Sequence, residues 1–260
     1  MVNRVFIDQM GRRVEVVNSP QRIVSLVPSQ TELLSYLGQE NTVVGITKFC
    51  IHPTEWFQTK QRIGGTKNLK IQEIIDLQPD LIIGNKEENT ESDIFALSAY
   101  CPVWMSDINS VEDAFVMIDE IGELTNTRPQ AKEFTHQLKI DFQRISDIGR
   151  NRKVLYAIWD DPLMVVGKET YIDSVLATIG FQNVINQPRY PTISGSNDVQ
   201  PEIILLSSEP FPFSENHIKK YQEIFPDAEI LLVDGEMFSW YGSKMLEAVH
   251  YFKSLSFTKR

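Results

Sequence analysis

Cys50-Ile51-His52-Pro53 puts the most chemistry into the fewest residues. A thiol and an imidazole two positions apart in a loop could share a metal, but a structural zinc site needs a second Cys or His pair. Cys101, His136, His217 and His250 are scattered through the chain, so no protein-only metal site is expected. His52 is read at most as an indirect contact with a ligand. Gly167-Lys168-Glu169-Thr170 has part of a phosphate loop, yet Pro162 stands where the earlier glycine is required and Glu169 follows the lysine. It is read as a turn feeding a helix. The acid pairs Asp160-Asp161 and Glu87-Glu88 are adjacent in sequence, as solvated carboxylates usually are. No G-x-S-x-G, H-E-x-x-H or G-x-G-x-x-G pattern occurs, and no catalytic constellation is visible. The expectation is a protein that is not an enzyme and needs no cofactor.

The second chemical signal is aromatic. Phe49, Trp56, Trp159, Tyr190, Phe211, Phe213, Phe238, Trp240 and Tyr241 fall in segments that read as loops. Core aromatics belong on strands and helices, so loops this rich point to a broad, partly flat ligand held by stacking. Phe211, Phe213 and Phe238 read as local core. Trp159, Tyr190, Trp240 and Tyr241 stand beside polar or Gly/Pro positions and are expected to face a cleft.

The elements that must position these loops alternate strand and helix. After a hairpin with Met10-Gly11-Arg12-Arg13 at its turn come a strand at 22–27 and a helix capped by Ser29 or Thr31 and stopped at Gly38. A strand at 43–46, a loop from Thr47 to Gly65, a helix through Ile71–Leu77 and a strand at 81–83 follow. A helix near 94–97, a strand at 103–105 and a helix at 111–124 close the first half. Thr127 to Gly149 reads as one long helix of about 30 Å at roughly 1.5 Å per residue. The order then repeats, with strands at 154–158, 184–185, 203–206 and 230–233 and helices at 171–179 and from Ser243. Leu37-Gly38 matches Ile179-Gly180, and Gln78-Pro79-Asp80 matches Gln200-Pro201-Glu202, so the halves read as a duplication. The fold class is α/β: two lobes, each a mainly parallel sheet flanked by helices, joined by one long backbone helix. The divisions are 1–126, 127–149 and 150–260. A continuous connecting helix resists bending, so the cleft is expected to be preformed and the lobe rotation small.

Composition excludes other classes. The 260 residues are 42% apolar and 23% charged with a net charge of −10, as in ordinary globular proteins. No basic cluster suits a nucleic-acid partner. Two cysteines do not make a disulfide framework and are read as free. No apolar run approaches the roughly 18 residues of a membrane span, and the N-terminus has no leader pattern. As written the chain reads as cytoplasmic, and as periplasmic if a leader was removed.

Arg22-Ile23-Val24-Ser25-Leu26-Val27-Pro28-Ser29-Gln30-Thr31-Glu32, Leu37-Gly38, Val43-Val44-Gly45-Ile46, Gln78-Pro79-Asp80-Leu81-Ile82 and Val166-Gly167-Lys168-Glu169-Thr170 resemble the helical-backbone (class III) substrate-binding proteins of ABC importers. The resemblance covers nearly the whole chain. Lys48-Phe49-Cys50-Ile51-His52-Pro53, Arg189-Tyr190-Pro191-Thr192-Ile193-Ser194 and Phe238-Ser239-Trp240-Tyr241-Gly242-Ser243 are most similar to the cobalamin-binding branch. The resemblance implies a corrinoid held in a cleft between two lobes. Phe49 and His52 fall in the loop that lines it, Asn85 falls just past the third strand, and Tyr190 falls where a cleft tryptophan can occur. The expected ligand-binding set is Phe49, Cys50, His52, Asn85, Lys86, Trp159, Arg189, Tyr190, Trp240 and Tyr241.

The resemblance also implies an ABC permease as partner of a monomeric receptor. Family members dock through a glutamate on each lobe. Here Gln72 takes the first place with Glu73 beside it, and Gly195-Ser196-Asn197-Asp198 replaces the second helical segment, about two residues short. The alternatives within the binding class are a ferric siderophore or haem. Siderophores are anionic and need convergent cations, of which the loops offer chiefly Lys48, Lys86 and Arg189. From another class, a metal chelatase acting on tetrapyrroles would use His52 with Asp160 or Glu87. An intracellular scavenger or sensor is the third possibility.

Overall fold

Two carboxylates, Asp80 and Glu202, open two sheets in the same way. The described residues are 3–194, 199–255 and 257 of a computed structural model, and they form two compact units. The first unit holds the chain up to Ile108, Glu112–His136 and Tyr241–Lys244. The second holds Asn109–Val111, Gln137–Trp240 and the chain from Met245.

The chain starts as the antiparallel hairpin β1 (Asn3–Ile7) and β2 (Arg13–Val17), with Phe6 opposite Val14. Asp8 closes its turn: Oδ1 accepts from the N–H of Met10 at 3.1 Å and of Arg12 at 2.8 Å, and Oδ2 lies 2.6 Å from the Arg12 guanidinium. Next come β3 (Ile23–Ser25), α1 (Pro28–Tyr36), β4 (Val43–Ile46), α2 (Thr54–Thr59), β5 (Gln61–Arg62), β6 (Gly64–Gly65) and β7 (Asn68–Leu69). Then follow α3 (Ile71–Asp76), β8 (Leu81–Asn85), α4 (Glu91–Ser98), β9 (Val103–Ser106) and α5 (Val111–Leu124). The main sheet is parallel throughout, in the order β5-β4-β3-β8-β9. Its strands β3, β8 and β9 are buried at every residue, and for that reason they are largely apolar runs without alternation, whereas the edge strand β5 is exposed. Val24, Leu26, Ile82, Leu97 and Met105 lie in one core cluster, with α3 and α4 supplying Ile74 and Ile94.

Helix α6 (Arg128–Arg144) carries the chain from the first unit, which ends within it at His136, into the second. Ala131, Phe134, Leu138 and Phe142 are its buried stripe. The second unit contains β10 (Lys153–Trp159), β11 (Met164–Val165), α7 (Tyr171–Thr178), β12 (Gln182–Asn183), β13 (Ile203–Ser207), α8 (Glu215–Ile224), β14 (Glu229–Val233), α9 (Gly235–Ser239) and α10 (Lys244–Ser254). Strands β12, β10, β13 and β14 are parallel neighbours in that order, and β11 adds antiparallel to β10.

The order β4-β3-β8-β9 in the first unit is therefore the order β12-β10-β13-β14 in the second. The matched motifs do matched work. Asp80 accepts from the N–H groups of Gln21 (2.7 Å) and Arg22 (2.9 Å), at the entrance to β3, and its own N–H donates to Arg22 O at 3.0 Å. Glu202 accepts from the Lys153 N–H at 2.8 Å, at the entrance to β10, and its N–H donates to Lys153 O at 2.8 Å. Each acid pins the backbone where the neighbouring central strand begins, Asp80 just before β3 and Glu202 at the first residue of β10. The two glycine stops are also one structure: Gly38 (φ +74) and Gly180 (φ +90) take the left-handed conformation, and the next N–H in each reaches back, Gln39 to Leu34 O (3.0 Å) and Phe181 to Leu176 O (2.9 Å).

Several sequence expectations shift. Neither Ser29 nor Thr31 caps α1: the N-cap is Val27 with no side-chain bond, Pro28 starts the helix, and the Thr31 hydroxyl turns back to Val27 O at 2.9 Å. The long helix ends at Arg144, short of Gly149. Beyond it the bonds span only three residues, Ile145 to Phe142 at 3.2 Å and Ile148 to Ile145 at 3.3 Å, and the Gly149 N–H goes to Ile179 O at 2.8 Å. The strand expected at 184–185 is β12, two residues earlier. The segment from Thr47 to Gly65 is not one loop, since it contains α2 and short strands. The docking segment Gly195-Ser196-Asn197-Asp198 lies outside the described residues.

Candidate functional site

In open parallel sheets, ligands bind beyond the carboxyl ends of the strands. In the first unit these ends are closed by two polar knots. The first joins β3, α1 and the loop after β4: Thr31 Oγ1 lies 2.7 Å from Ser25 Oγ and 3.1 Å from Cys50 Sγ, and Thr47 Oγ1 lies 3.1 Å from the same sulfur. All four residues are fully buried. Burial pushes the Cys50 thiol up, against hydrogen bonds from Thr31 and Thr47 that lower it. The sulfur thus anchors the loop from beneath while its neighbour Phe49 is 51% exposed. The Phe49 ring lies on Gly65, where an added Cβ would come within 3.1 Å of it, and Lys48 Nζ sits 5.0 Å from its centroid. His52 is half-buried.

The second knot ties β8 to β9. Gln30 Nε2 donates to Ser106 Oγ at 2.6 Å and Asn85 Nδ2 donates to the same oxygen at 2.9 Å. Asn85 Oδ1 accepts from the N–H groups of Glu87 (2.8 Å) and Glu88 (3.1 Å), which folds the β8 loop over its own strand. Asn85 is therefore buried and spent on backbone, while the exposed Lys86 next to it pairs with Asp107 at 2.5 Å. Tyr241 enters this knot from far along the chain. It is buried, its hydroxyl lies close to Ser29 and Ser106, and burial pushes it above the usual phenol range.

In the second unit Trp159 ends β10 and is 42% exposed. Its ring meets Phe211 edge-on at 5.5 Å, and Phe211 packs on Phe213 at 4.8 Å and on His217 at 5.3 Å. Asp160 accepts from Lys220 at 2.6 Å and from the Tyr221 hydroxyl at 2.8 Å. Burial alone would raise the Asp160 carboxyl, and these two bonds overturn that and hold it below its ordinary value. Arg189, in the left-handed conformation at φ +63, donates to Glu169 O at 2.9 Å and Asn109 Oδ1 at 3.2 Å, with its guanidinium 5.4 Å from the Tyr190 centroid. Trp240 is half-buried and stands beside Glu209, which accepts from Ser239 Oγ at 2.7 Å.

The ten expected ligand residues thus divide by environment. Phe49, Lys86, Trp159 and Arg189 are exposed, His52, Tyr190 and Trp240 are half-buried, and Cys50, Asn85 and Tyr241 are buried supports. Phe213 and Phe238 are core as expected, whereas Phe211 is half-buried and braces Trp159. Glu209, Phe211 and Tyr221 were absent from the expected set. The run Glu209-Pro210-Phe211-Pro212-Phe213 was the only local signal for the first two, and nothing local marks Tyr221 as the partner of Asp160. Of the expected docking pair, Gln72 is exposed on α3 and donates to Asp76 at 2.8 Å, and Glu73 pairs with Lys70 at 2.8 Å, a bond that holds its carboxyl below the ordinary value. Among the described residues no group of three or more His, Cys, Asp or Glu is arranged to hold a metal.

Comparison with known proteins follows the same outline. A family model described as periplasmic binding protein matches residues 23–219. An ABC transporter substrate-binding lipoprotein of Bacillus subtilis is 25% identical over 188 residues, 68% of this chain and 59% of its own length. A vitamin B12-binding protein of Pectobacterium carotovorum is 19% identical over 239 residues, covering 88% of this chain and 86% of that one. Among solved structures, the vitamin B12-binding protein of Vibrio cholerae superposes with a TM-score of 0.76 at 18% identity, over 90% of this chain and 97% of that one. A haem-binding protein of Pseudomonas aeruginosa gives 0.75 at 20% identity over 91% and 94%. A catecholate-siderophore-binding protein of Vibrio cholerae gives 0.82 at 13% identity over 98% and 100%. At these identities the structural likenesses speak for the fold alone.

Proposed function

We propose a ligand and a role from one premise: this chain belongs to the periplasmic binding protein family. The named relatives are an ABC transporter substrate-binding lipoprotein and proteins that bind vitamin B12, haem or a catecholate siderophore. In our reading the chain is a receptor, not an enzyme, for a cobalamin-like corrinoid delivered to an ABC permease. The strand-end loops of residues 1–126 and 150–260 contact the ligand, and 127–149 connects them. Gln72 and Glu73 would contact the permease, with the receptor acting as a monomer.

One observation carries the choice of ligand. Most cations at the strand ends already have polar partners: Lys86 has Asp107, Lys220 has Asp160, Lys168 has Asp173 at 3.0 Å, and Arg189 has Asn109 and Glu169, while Lys48 lies over the Phe49 ring. The surface at the strand ends is instead aromatic: exposed Phe49 in the first unit, and exposed Trp159 with half-buried Tyr190 and Trp240 in the second. A flat ring rimmed by neutral amides suits that surface better than a polyanionic ferric chelate or a haem with two carboxylates. Each aromatic contact contributes about 0.5–1.5 kcal/mol beyond area burial. The chelatase alternative loses one of its two acids, since Asp160 is held by Lys220 and Tyr221, and is left with Glu87.

Titration with aquocobalamin, followed by visible absorbance and calorimetry, tests the reading. Micromolar or tighter binding, about −8 kcal/mol or better, is expected. Saturable binding of haemin or a ferric siderophore with none of aquocobalamin up to ~100 μM would transfer the assignment to that ligand. Fractionation of cells expressing the full native reading frame would establish the compartment. No helix among the described residues is long and apolar enough to cross a membrane.

A further inference from the structure

We propose that residues 208–214 form a rigid bracket that sets both cleft-type indoles of the second unit, Trp159 and Trp240, and that Phe211 and Glu209 are the positioning residues through which ring recognition is tuned. The ligand side of this proposal rests on the tetrapyrrole reading above. The bracket itself does not.

The loop leaves β13 at Ser207 and enters α8 at Ser214, and it is tied at both ends. Ser207 Oγ donates to Glu209 O at 2.6 Å and accepts from the Glu209 N–H at 3.3 Å, while the Tyr156 hydroxyl donates to Ser207 Oγ at 3.1 Å. At the far end the Phe213 N–H reaches Phe211 O at 2.9 Å, and the Ser214 N–H donates to His217 Nδ1 at 2.9 Å in the capping box of α8. Pro210 and Pro212 flank Phe211. Each proline fixes its own φ and restricts the residue before it, so little freedom remains between the two ties.

From this frame two side chains reach in different directions. Phe211 meets Trp159 edge-on, at 5.5 Å and 63° between planes, and is itself braced edge-on by Phe213 and by His217 at 88°. Glu209 accepts the hydroxyl of Ser239, the residue before Trp240, at 2.7 Å, and its carboxyl, raised by burial, stands beside the Trp240 indole. An indole has a single N–H donor, so a carboxylate beside it favours one azimuth of the Trp240 ring. Trp159 and Trp240 are 81 residues apart in the chain, yet one seven-residue loop, 208–214, holds both. The ligand class served by two preset indole surfaces is a flat conjugated macrocycle.

The test separates the bracket from the ligand. The protein has four tryptophans, so the apo protein labelled with 15N-tryptophan gives a small set of indole N–H signals, assigned with Trp159→Phe and Trp240→Phe. We expect Glu209→Ala to move the Trp240 signal and leave Trp159 in place, with Glu209→Gln, which keeps an acceptor, restoring it. We expect Phe211→Leu to move Trp159 and leave Trp240, with Phe211→Tyr restoring it. Unmoved indole signals in both Glu209→Ala and Phe211→Leu would overturn the bracket whatever the protein binds. With aquocobalamin and haemin as probes, Glu209→Ala and Phe211→Leu should each weaken binding by about 3- to 10-fold, the scale of one aromatic contact, and the restoring variants should recover it. Moved indoles with unchanged affinity would overturn the recognition role and leave the bracket. A wild-type protein that binds neither probe would overturn the tetrapyrrole reading and the recognition role together, and the apo signals would still decide the bracket.

Discussion

Lys86 Nζ and Asp107 Oδ2 stand 2.5 Å apart, an ion pair that links the ends of β8 and β9. It removes a cation from a surface that an anionic chelate would need. Asp107→Asn returns that charge to the loop, so affinity for a ferric siderophore should rise relative to aquocobalamin by a few-fold, about 1 kcal/mol or less for so exposed a group. The gain should shrink between low and physiological salt. Parallel titrations at two ionic strengths read this directly, and an unchanged ratio would show that Lys86 does not face the ligand.

Gly149 and Gly180 meet backbone to backbone within the second unit. A Cβ on Gly149 would lie 2.4 Å from the Gly180 carbonyl carbon, and the neighbouring bonds Gly149 N–H to Ile179 O and Asn151 N–H to Gly180 O, both 2.8 Å, leave no room to retreat. Gly149→Ala should therefore cost about 2 kcal/mol or more. Urea unfolding measures it, and a loss within about 0.5 kcal/mol would mean that the strand-side backbone yields easily.

Glu120 on α5 is a carboxyl whose proton the fold holds well above the ordinary carboxylate range. Burial, then the nearby Asp8 and Asp119, push it from an ordinary value of 4.5 up to about 7. Because the folded state holds this proton more tightly than the unfolded chain, the contribution is fully present below pH 4.5 and is lost as pH rises through about 7. Glu120→Gln fixes the neutral form. It should match wild type near pH 4.5 and exceed it at about pH 8, by ~1–2 kcal/mol after discounting for a half-exposed site. A stability difference that does not change with pH would contradict this.

Neither cysteine is disulfide-bonded, and both thiols are held neutral. Burial, with help from Asp80, pushes Cys101 up to about 12, and burial raises Cys50. An aromatic disulfide reagent at about pH 8 should react with the half-buried Cys101 some 10²–10³ times more slowly than with a free thiol. Cys50 should react only on unfolding. Rapid labelling of Cys50 in the native protein would show that the loop holding Phe49 opens.

Where local pattern and tertiary packing agree, the sequence was readable: β4 and α5 fall at Val43–Ile46 and Val111–Leu124 as expected, and the Pro-acid entries mark equivalent strands. It was misleading where a polar residue took the ladder. Asn183 pairs in β12 because its side chain is satisfied by Val166 O at 3.0 Å and Asp173 at 2.8 Å, which frees the apolar Ile185 to pack in the core. The strand-end loops could be listed in advance, but not which of their residues face outward. Phe49 and Cys50 are adjacent, one exposed and one buried, and the difference is made by Thr31, from another element. Likewise Asp107 and Tyr221, which decide the charge left on Lys86 and Asp160, lie 21 and 61 residues away from them. Pairing at that distance is a property of the fold and has no local signature.

The short run Tyr241–Lys244 belongs to the first unit although the rest of that unit ends at His136. Tyr241 reaches Ser29 and Ser106, Ser243 Oγ lies 3.4 Å from Glu32, and the buried Lys244 has its Nζ 3.9 Å from the same carboxylate. Translation delivers these residues last. At about 5–20 residues per second the ribosome needs roughly 5–20 s between His136 and Tyr241, and during that interval the nascent first unit lacks the segment that covers α1. The first unit is therefore finished only once Tyr241–Lys244 has been made, which makes a truncation that removes this run a lesion of the N-terminal sheet.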